Sequence, residues 1–411
     1  MNESLITALR ESNPWWSGGF FNVSIKPREA YREIERYWTK KQAIGVFGLR
    51  RTGKSFLAFH LIQKLLKTEA PHSILYFSFD NFGKTDLSEV LREAEAVSGM
   101  KIRFVFLDEV QKLDQWAEQV KRVYDFKNVK LFLSGSESLF LKKTSKESLG
   151  GRLLEYEMKP LSFSEYLSFR GIPRDVLHEP EIKTALPHYL LTGGFPELVE
   201  ETDAFFILKY FKEAIIDNAI FREIPSRFKL DDPSILEKLL HIITDNPGLL
   251  VDKNELARNL GIFRTTVSKY LFYLETCFLV KSLHNYSANA STSERKLKKY
   301  YPGFLTLGIG AKDDSAYLGK VVETACVLKS GAKHFWRSAQ HDEVDLVLTD
   351  PLLPIEVKYR ESFGNRDLHG LEKFRKKFRS SSGLVITKGV EKRDGDLRYV
   401  PFWKWLLADR L

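Results

Sequence analysis

Cysteine and methionine are scarce in this chain of 411 residues, which holds two of the first and three of the second. Cys277 and Cys326 stand far apart, with no CxxC pair and no clustering with histidine. That excludes a disulfide framework and a thiolate metal centre, and it predicts two buried thiols in a reducing compartment. Long apolar runs are missing too: segments such as ILYFSF at 74–79 are too short to cross a bilayer. The start of the chain lacks the basic, apolar and small-residue succession of a secretion signal. The expectation is a cytoplasmic protein without membrane contact. No internal repeat or long low-complexity tract is present either, which excludes a solenoid.

Positive charge is in excess. The 63 Lys and Arg outnumber the 54 Asp and Glu, for a net charge of +9 and a pI near 9.2. Such a balance favours a polyanion, nucleic acid or an anionic membrane surface, because nucleotide phosphates absorb only a small part of it. The length and an ordinary globular composition, 43% hydrophobic and 28% charged, allow roughly two to four domains.

Short apolar runs alternate with helical patterns up to about residue 158. They are AIGVFG at 43–48, ILYFSF at 74–79, FVFLDE at 104–109 and KLFLSG at 130–135, each bounded by polar or glycine-rich turns. The pattern predicts an α/β fold over 1–158, with a buried parallel sheet and crossover helices. Residues 159–229 read as a helical lid or connector, broken by TGGFP at 192–196. Residues 230–286 read as a compact helical array ending in two short apolar strands, and SANASTSE at 287–294 marks a boundary. The rest, 287–411, predicts a small α/β domain: a helix near 318–330, strands near 333–348 and 353–359, a basic helix at 367–379 and a final strand, GLVIT, at 383–387.

GLRRTGKS, Gly48 to Ser55, satisfies GxxxxGK(S/T) between an apolar strand and an apolar helix, the context in which that motif is informative. Gly48 and Gly53 let the backbone turn its N–H groups toward phosphates, and the helix N-terminus adds a favourable dipole. Lys54 is expected at the β- and γ-phosphates of ATP and the Ser55 hydroxyl on Mg²⁺, with Arg51, Thr52 and Phe56 completing the nucleotide set. FVFLDE places Asp108 and Glu109 at a buried strand end, Asp108 to hold Mg²⁺ through water and Glu109 to polarise the attacking water. The next strand ends in SGSES, where Ser134 or Ser136 can sense the γ-phosphate; a plain Ser/Gly turn fits as well. Arg152, after a glycine pair, can stabilise charge developing on the γ-phosphate, or form a surface ion pair.

NELARNLGIFRTTVSKYLFYLETCFLV, 254–280, reads as helix, Gly261 turn, helix and apolar strand. Leu256, Leu260, Val267, Leu271 and Leu274 fall at helical spacing on one face. Arg264, Thr265, Thr266, Ser268 and Lys269 then lie at the exposed start of the second helix, from which a recognition helix meets bases and phosphates of DNA. Winged helices also serve as protein-contact modules.

Near the C-terminus Glu323 lies on a helix, Asp345 in EVDLVL, and Glu356 and Lys358 in PIEVKYR. Strand alternation puts Glu356 and Lys358 on one face. Three carboxylates converging at a sheet end, Glu323, Asp345 and Glu356, can bind Mg²⁺, and a lysine beside them can orient water, as phosphodiester hydrolysis requires. The basic helix 367–379 interleaves Lys and Arg with Leu and Phe, so a cationic face can follow a DNA backbone. A D…ExK match also arises on ordinary amphipathic strands.

These pieces in this order resemble the AAA-type P-loop ATPases of archaea and bacteria that carry a winged helix and a C-terminal PD-(D/E)xK nuclease-like domain. The resemblance rests on NPWW, GLRRTGKS, FLDEVQKL, the SGS strand tip, SLGGRLLEYEMKPLSFSEYL, LTGGFPEL, the helix-turn-helix, and EVDLVL with IEVK, and covers nearly the whole chain. It implies Mg-ATP at the P-loop, a winged helix over 230–286, a restriction-endonuclease-like fold over 287–411, and Arg28 near the adenine. The chain departs in offering Ser134 and Ser136 where such ATPases often place Asn or Thr, and in lacking a lid arginine suited to sense phosphate. The expected function is ATP-dependent action on DNA with metal-dependent cleavage at Glu356 and Lys358. The alternative is a nucleotide-controlled switch or DNA-binding regulator with a silent nuclease-like domain. Partners are ATP or ADP and DNA, and a homo-oligomer is compatible with the sequence.

Overall fold

The structure is a computed structural model that describes residues 3–19, 21–136, 149–230, 232–289, 297–305, 307 and 315–408. The linker expected at 287–294 lies outside the described residues from 290 onward. The chain divides into two compact units, Met1–Pro160 and Leu161–Leu411.

In the first unit, strands β1 (Ala43–Phe47), β2 (Ile74–Ser78), β3 (Phe104–Asp108), β4 (Lys130–Gly135) and β5 (Leu153–Glu157) form a sheet in the order β2-β3-β4-β1-β5. Every pairing is parallel. Parallel sheets are covered on both faces, which is why these strands are near-continuous apolar runs; all five residues of β1 are buried. Helices Lys54–Leu65, Leu87–Ser98 and Trp116–Phe126 make crossovers. Parallel packing brings the C-terminal ends of β1, β4 and β3 side by side, with Val46 opposite Ser134. In open α/β sheets that edge is where ligands bind.

An edge strand exposes unpaired backbone groups. Here NPWW closes the edge of β2. The buried Asn13 amide donates to Leu9 O at 2.7 Å and Tyr76 O at 2.9 Å, and its Oδ1 accepts the Tyr76 N–H at 2.7 Å. The Trp15 and Trp16 indole N–H groups both donate to Ile74 O, at 3.0 and 2.9 Å.

The second unit begins with helices Phe163–Phe169, Glu179–Thr192 and Ala204–Tyr210, the last continuing through π turns and a helical turn to Arg227, followed by Pro233–Asp245. The first starts at a capping box of Ser162 and Glu165, so the SFSE segment carries its own start signal. TGGFP breaks the helical pattern because Gly193 has a φ of +62° and a Cβ there would lie 2.2 Å from Leu305 O. Helices Lys253–Leu260 and Arg264–Thr276 flank Gly261, which ends the first of them in the left-handed conformation.

Among the described residues, nine strands complete this unit: β6 (Leu249–Val251), β7 (Val280–Asn285), β8 (Lys298–Pro302), β9 (His334–Arg337), β10 (Glu343–Thr349), β11 (Leu352–Lys358), β12 (Gly383–Thr387), β13 (Lys392–Asp394) and β14 (Leu397–Pro401). They form one mixed sheet in the order β13-β14-β12-β11-β10-β9-β7-β8-β6. β7 pairs antiparallel with β8 and parallel with β9, so the sheet runs through the position where a boundary at 286/287 is expected. The expectation that GLVIT is the last strand is corrected: β13, β14 and helix Phe402–Leu407 follow it. The charged segment EKRDGDLR hides β14, whose Leu397, Tyr399 and Val400 are buried. Helix Ser315–Ser330 packs with the sheet around Leu283, Tyr301, Val322, Phe335, Ile355, Ile386 and Phe402.

Candidate nucleotide site and a second acidic cluster

The loop after β1 has the backbone that a phosphate cradle needs. Gly48 has a φ of +153°, and a Cβ there would meet Met158 O at 2.3 Å; Gly53, at +96°, opens helix Lys54–Leu65. Arg51 also takes a left-handed φ of +65°. The Thr52 hydroxyl is buried and donates to Leu49 O at 2.9 Å, which closes the turn. Lys54 is buried with its ammonium on Gly48 O at 3.0 Å and Leu49 O at 2.7 Å. Burial pushes its pKa down to about 8 against the pull of Glu109 and Asp108. Phe56 is half-exposed one turn into the helix, its ring edge-on to Phe59.

Arg28 is buried and spans the loop and the end of β5, donating to Thr52 O and Lys159 O, each at 3.0 Å. Its guanidinium therefore braces the P-loop, a role the expected adenine contact did not include.

Asp108, at the end of β3, gathers donors from three elements. Its Oδ2 accepts Ser55 Oγ at 2.8 Å and the Tyr76 hydroxyl at 2.9 Å, and its Oδ1 accepts Ser134 Oγ at 2.5 Å and the Glu109 N–H at 3.1 Å. Burial and the Asp108 charge raise the Tyr76 phenol, so it stays a donor. Glu109 has a left-handed φ of +51°, a strained position for a non-glycine residue and one found at functional sites. Its carboxylate accepts from Gln111 Nε2, which also donates to Ser136 Oγ at 3.1 Å. The two serines of the β4 end thus divide the acidic pair between them: Ser134 touches Asp108, and Ser136 reaches Glu109 through Gln111. Neither Tyr76 nor Gln111 was singled out in the sequence. The alternation of ILYFSF offered a signal for the former, since it turns Tyr76 and Ser78 to one face.

Arg152 lies away from this site in its own chain. It precedes β5, and its carbonyl accepts the N–H of Ala43, the first residue of β1. The P-loop begins at the other end of β1, five residues on, or on the order of 16 Å away. Its guanidinium instead pairs with Asp125, Nε to Oδ1 at 2.9 Å and Nη2 to Oδ2 at 3.4 Å.

On helix Arg264–Thr276, Arg264, Thr265 and Lys269 are exposed, Thr266 and Ser268 half-buried, and Val267, Tyr270, Leu271 and Leu274 buried. Of the five polar residues expected to face DNA, the helix leaves Arg264, Thr265 and Lys269 to solvent.

Of the carboxylates expected to bind metal near the C-terminus, Glu323 and Asp345 come together around an ammonium, while Glu356 is held by Lys358. Lys299, on β8, approaches Glu323 Oε1 at 3.4 Å and Asp345 Oδ1 at 3.9 Å and pairs with Glu343; its side chain is 6% exposed. Burial works against its charge, yet Glu323, Tyr301, Asp345 and Glu343 outweigh it and hold the pKa well above the usual lysine value. Tyr301, two residues along the same strand face, donates to Glu323 Oε1 at 2.6 Å, and Asp345 Oδ2 accepts the Val357 N–H at 2.8 Å. Lys358 donates to Glu356 Oε1 at 2.5 Å. Burial and the neighbouring Asp345 push Glu356 up to about 8 despite Lys358. Among the described residues no group of three or more His, Cys, Asp or Glu side chains is arranged to hold a metal ion. Lys299 occupies the position between Glu323, Glu343 and Asp345.

Sheet order, glycine loop and acidic pair together define the class as a P-loop ATPase core of α/β type. Residues 40–167 match the AAA domain family, 183–305 a domain of unknown function (DUF8612) and 318–405 another (DUF4143). An AAA domain implies ATP binding and hydrolysis, typically with Mg²⁺. An uncharacterised protein of Methanocaldococcus jannaschii is 25% identical over 94% of this chain and 93% of its own length. One of Haemophilus influenzae, also uncharacterised, is 26% identical over 62% of this chain and 66% of its own. Among solved structures, AMPPCP-bound DnaA from Aquifex aeolicus aligns over 62% of this chain and 89% of that one, at 14% identity and a TM-score of 0.28, a likeness too faint to carry an argument. No helix among the described residues is long and apolar enough to cross a membrane.

Proposed function

We propose that this chain is an Mg²⁺-dependent ATPase whose nucleotide state governs its hold on DNA. The observation that carries the first half is the Asp108 carboxylate, 2.8 Å from the P-loop hydroxyl of Ser55 and ringed by neutral hydroxyl donors. Ser55 and Asp108 are an oxygen pair suited to Mg²⁺, which when bound would neutralise charge on the β- and γ-phosphates. Lys54 exchanges its loop carbonyls for phosphate oxygens. Glu109 orients the water whose oxygen attacks the γ-phosphorus and accepts its proton at the carboxylate, while the bridging oxygen leaves with ADP. Ser134 and Ser136 report the γ-phosphate to Asp108 and Glu109. Arg152 takes no part in that step within its own chain.

The second half rests on the solvent-facing residues of helix Arg264–Thr276 and on the net charge of +9. We assign 1–158 to the ATPase domain, 159–229 to a lid, 230–286 to a winged helix and 287–411 to a nuclease-like fold, in a cytoplasmic protein. Binding of labelled duplex DNA at two salt concentrations, without nucleotide, with ADP and with a non-hydrolysable ATP analogue, tests the reading. Arg264→Ala and Lys269→Ala should each weaken binding and lower the salt slope by about 1. Binding independent of salt and nucleotide would assign the helix to a protein contact instead.

A further inference from the structure

We infer that Lys299 is a tethered cation that stands where a divalent metal would sit among Glu323, Glu343 and Asp345, with Glu356 beside Asp345, and so closes this cluster to metal. The inference is independent of the ATPase reading and holds whether or not the chain binds DNA.

Lys299 and the carboxylates come from distant parts of the sequence. β8 lies in the region matching one family and Glu323, Glu343, Asp345 and Glu356 in the region matching the next. β8 reaches them because β7 pairs with both β8 and β9. Strand alternation then turns Lys299 and Tyr301 to the same face, toward Glu323. The ring of Phe335 lies 5.4 Å from the ammonium, which keeps the position dry on that side.

The cluster nevertheless keeps carboxylate oxygens, the donor type a divalent ion takes. Glu356 is 5% exposed, and its buried Oε2 has no hydrogen-bond partner. Asp345 keeps Oδ1 on the Lys299 side while Oδ2 is anchored on the Val357 N–H. A buried carboxylate oxygen without a partner is costly, and it is the group a metal would satisfy. An ammonium and a divalent ion cannot share so small a space, since like charges at that separation repel strongly in a buried setting. The lysine therefore supplies the charge balance without the open coordination positions that activate water on a metal.

Removing the ammonium should open a metal site. The test uses the full chain carrying Asp108→Asn, which disables the P-loop metal position, without nucleotide, and titrates Mn²⁺ while following free Mn²⁺ by electron paramagnetic resonance. The Asp108→Asn parent should bind no Mn²⁺ stoichiometrically. Adding Lys299→Ala should create one site per chain, at least tenfold tighter than any residual binding, and a further Glu356→Gln should abolish it. Lys299→Ala protein should also melt at a higher temperature with Mn²⁺ present, whereas the parent should not. Stoichiometric Mn²⁺ in the parent that Glu356→Gln removes would overturn the inference, as would a folded Lys299→Ala variant that gains no site. Should Lys299→Ala fail to fold, refolding with Mn²⁺ decides: recovery supports the inference, and failure with and without the ion counts against it.

Discussion

Two acidic clusters lie in the two units of this chain, and they differ in what neutralises them. Asp108 is surrounded by the hydroxyls of Ser55, Tyr76 and Ser134, which donate hydrogen bonds but bring no charge. Glu323, Glu343 and Asp345 surround the ammonium of Lys299. Hydroxyls leave a carboxylate's charge available to an incoming cation and can themselves become ligands; an ammonium uses that charge up. A carboxylate cluster is thus read as a metal site or a closed ion pair from its donors, and the acids alone do not distinguish the two.

The contrast is most sharply broken by making one change twice. Lys299→Met should leave buried carboxylates uncompensated and lower stability by about 3–5 kcal/mol, measured as an earlier midpoint in urea. Lys54→Met removes a lysine held by the carbonyls of Gly48 and Leu49 with no ion pair to the loop. Its stability loss should stay near 1 kcal/mol, while ATP hydrolysis falls on the order of 10²–10³-fold in a phosphate-release assay. Similar stability losses in the two variants would remove the distinction.

Glu109→Gln comes next in size. The amide keeps the shape of the side chain beside Gln111 but cannot accept the water's proton. Hydrolysis should fall about 10²-fold or more with ATP affinity changed little, read by comparing turnover with equilibrium binding of labelled ATP. A parallel loss of affinity would make Glu109 part of the binding pocket instead.

How far each cluster could be read from the sequence follows from where its members lie. Gly48, Gly53, Lys54 and Ser55 fall in one loop, and Asp108 and Glu109 end one apolar run, so local pattern exposes them. The strand β5 and the edge seal by Asn13 depend on pairings across the sheet, and only the aromatic NPWW hinted at the latter. Lys299 sits in SERKLKKYYPG, where Arg295, Lys296, Lys298 and Lys299 look alike. Which of them enters the core is decided by the register of β8, where Lys299 lies opposite Leu250 on one side and Leu283 on the other. Glu323, Asp345 and Glu356 stood out in the sequence as acids, but the cation beside Glu323 and Asp345 did not. Arg152 stayed open between a phosphate contact and an ion pair because a glycine pair before an apolar run does not say which end of the sheet it occupies; the pair with Asp125 is seen only in the fold.

Asn13→Ala supplies a control in which no charge is involved. Three hydrogen bonds disappear, two to the β2 edge at Tyr76, whose hydroxyl holds Asp108, and one to Leu9 O. Stability should drop by about 2 kcal/mol, seen by thermal unfolding, with a greater tendency to aggregate through the opened edge. A change below about 0.5 kcal/mol would mean that the two tryptophan donors to Ile74 hold the segment on their own.

The smallest effect is expected at Gln111, and it asks whether hydroxyl-organised chemistry extends to the second acid of the pair. Gln111 Nε2 is shared between Glu109 and Ser136, and a Cβ on Gly135 would lie 2.3 Å from its Oε1, so the amide is closely confined. Gln111→Leu keeps most of the volume and removes both donations. If the amide sets the direction of Glu109 toward water, kcat should fall about tenfold, the equivalent of one lost hydrogen bond to a charged group. KM for ATP should hold, since Lys54 and the loop N–H groups bind the phosphates without it. Gln111→Glu would place a second carboxylate against Glu109 and should be slower still, whereas Gln111→Asn, with the same amide on a shorter stem, should recover part of the rate if reach permits. Equal rates for Leu and Asn would reduce Gln111 to packing, and leave Glu109 positioned by its left-handed backbone alone.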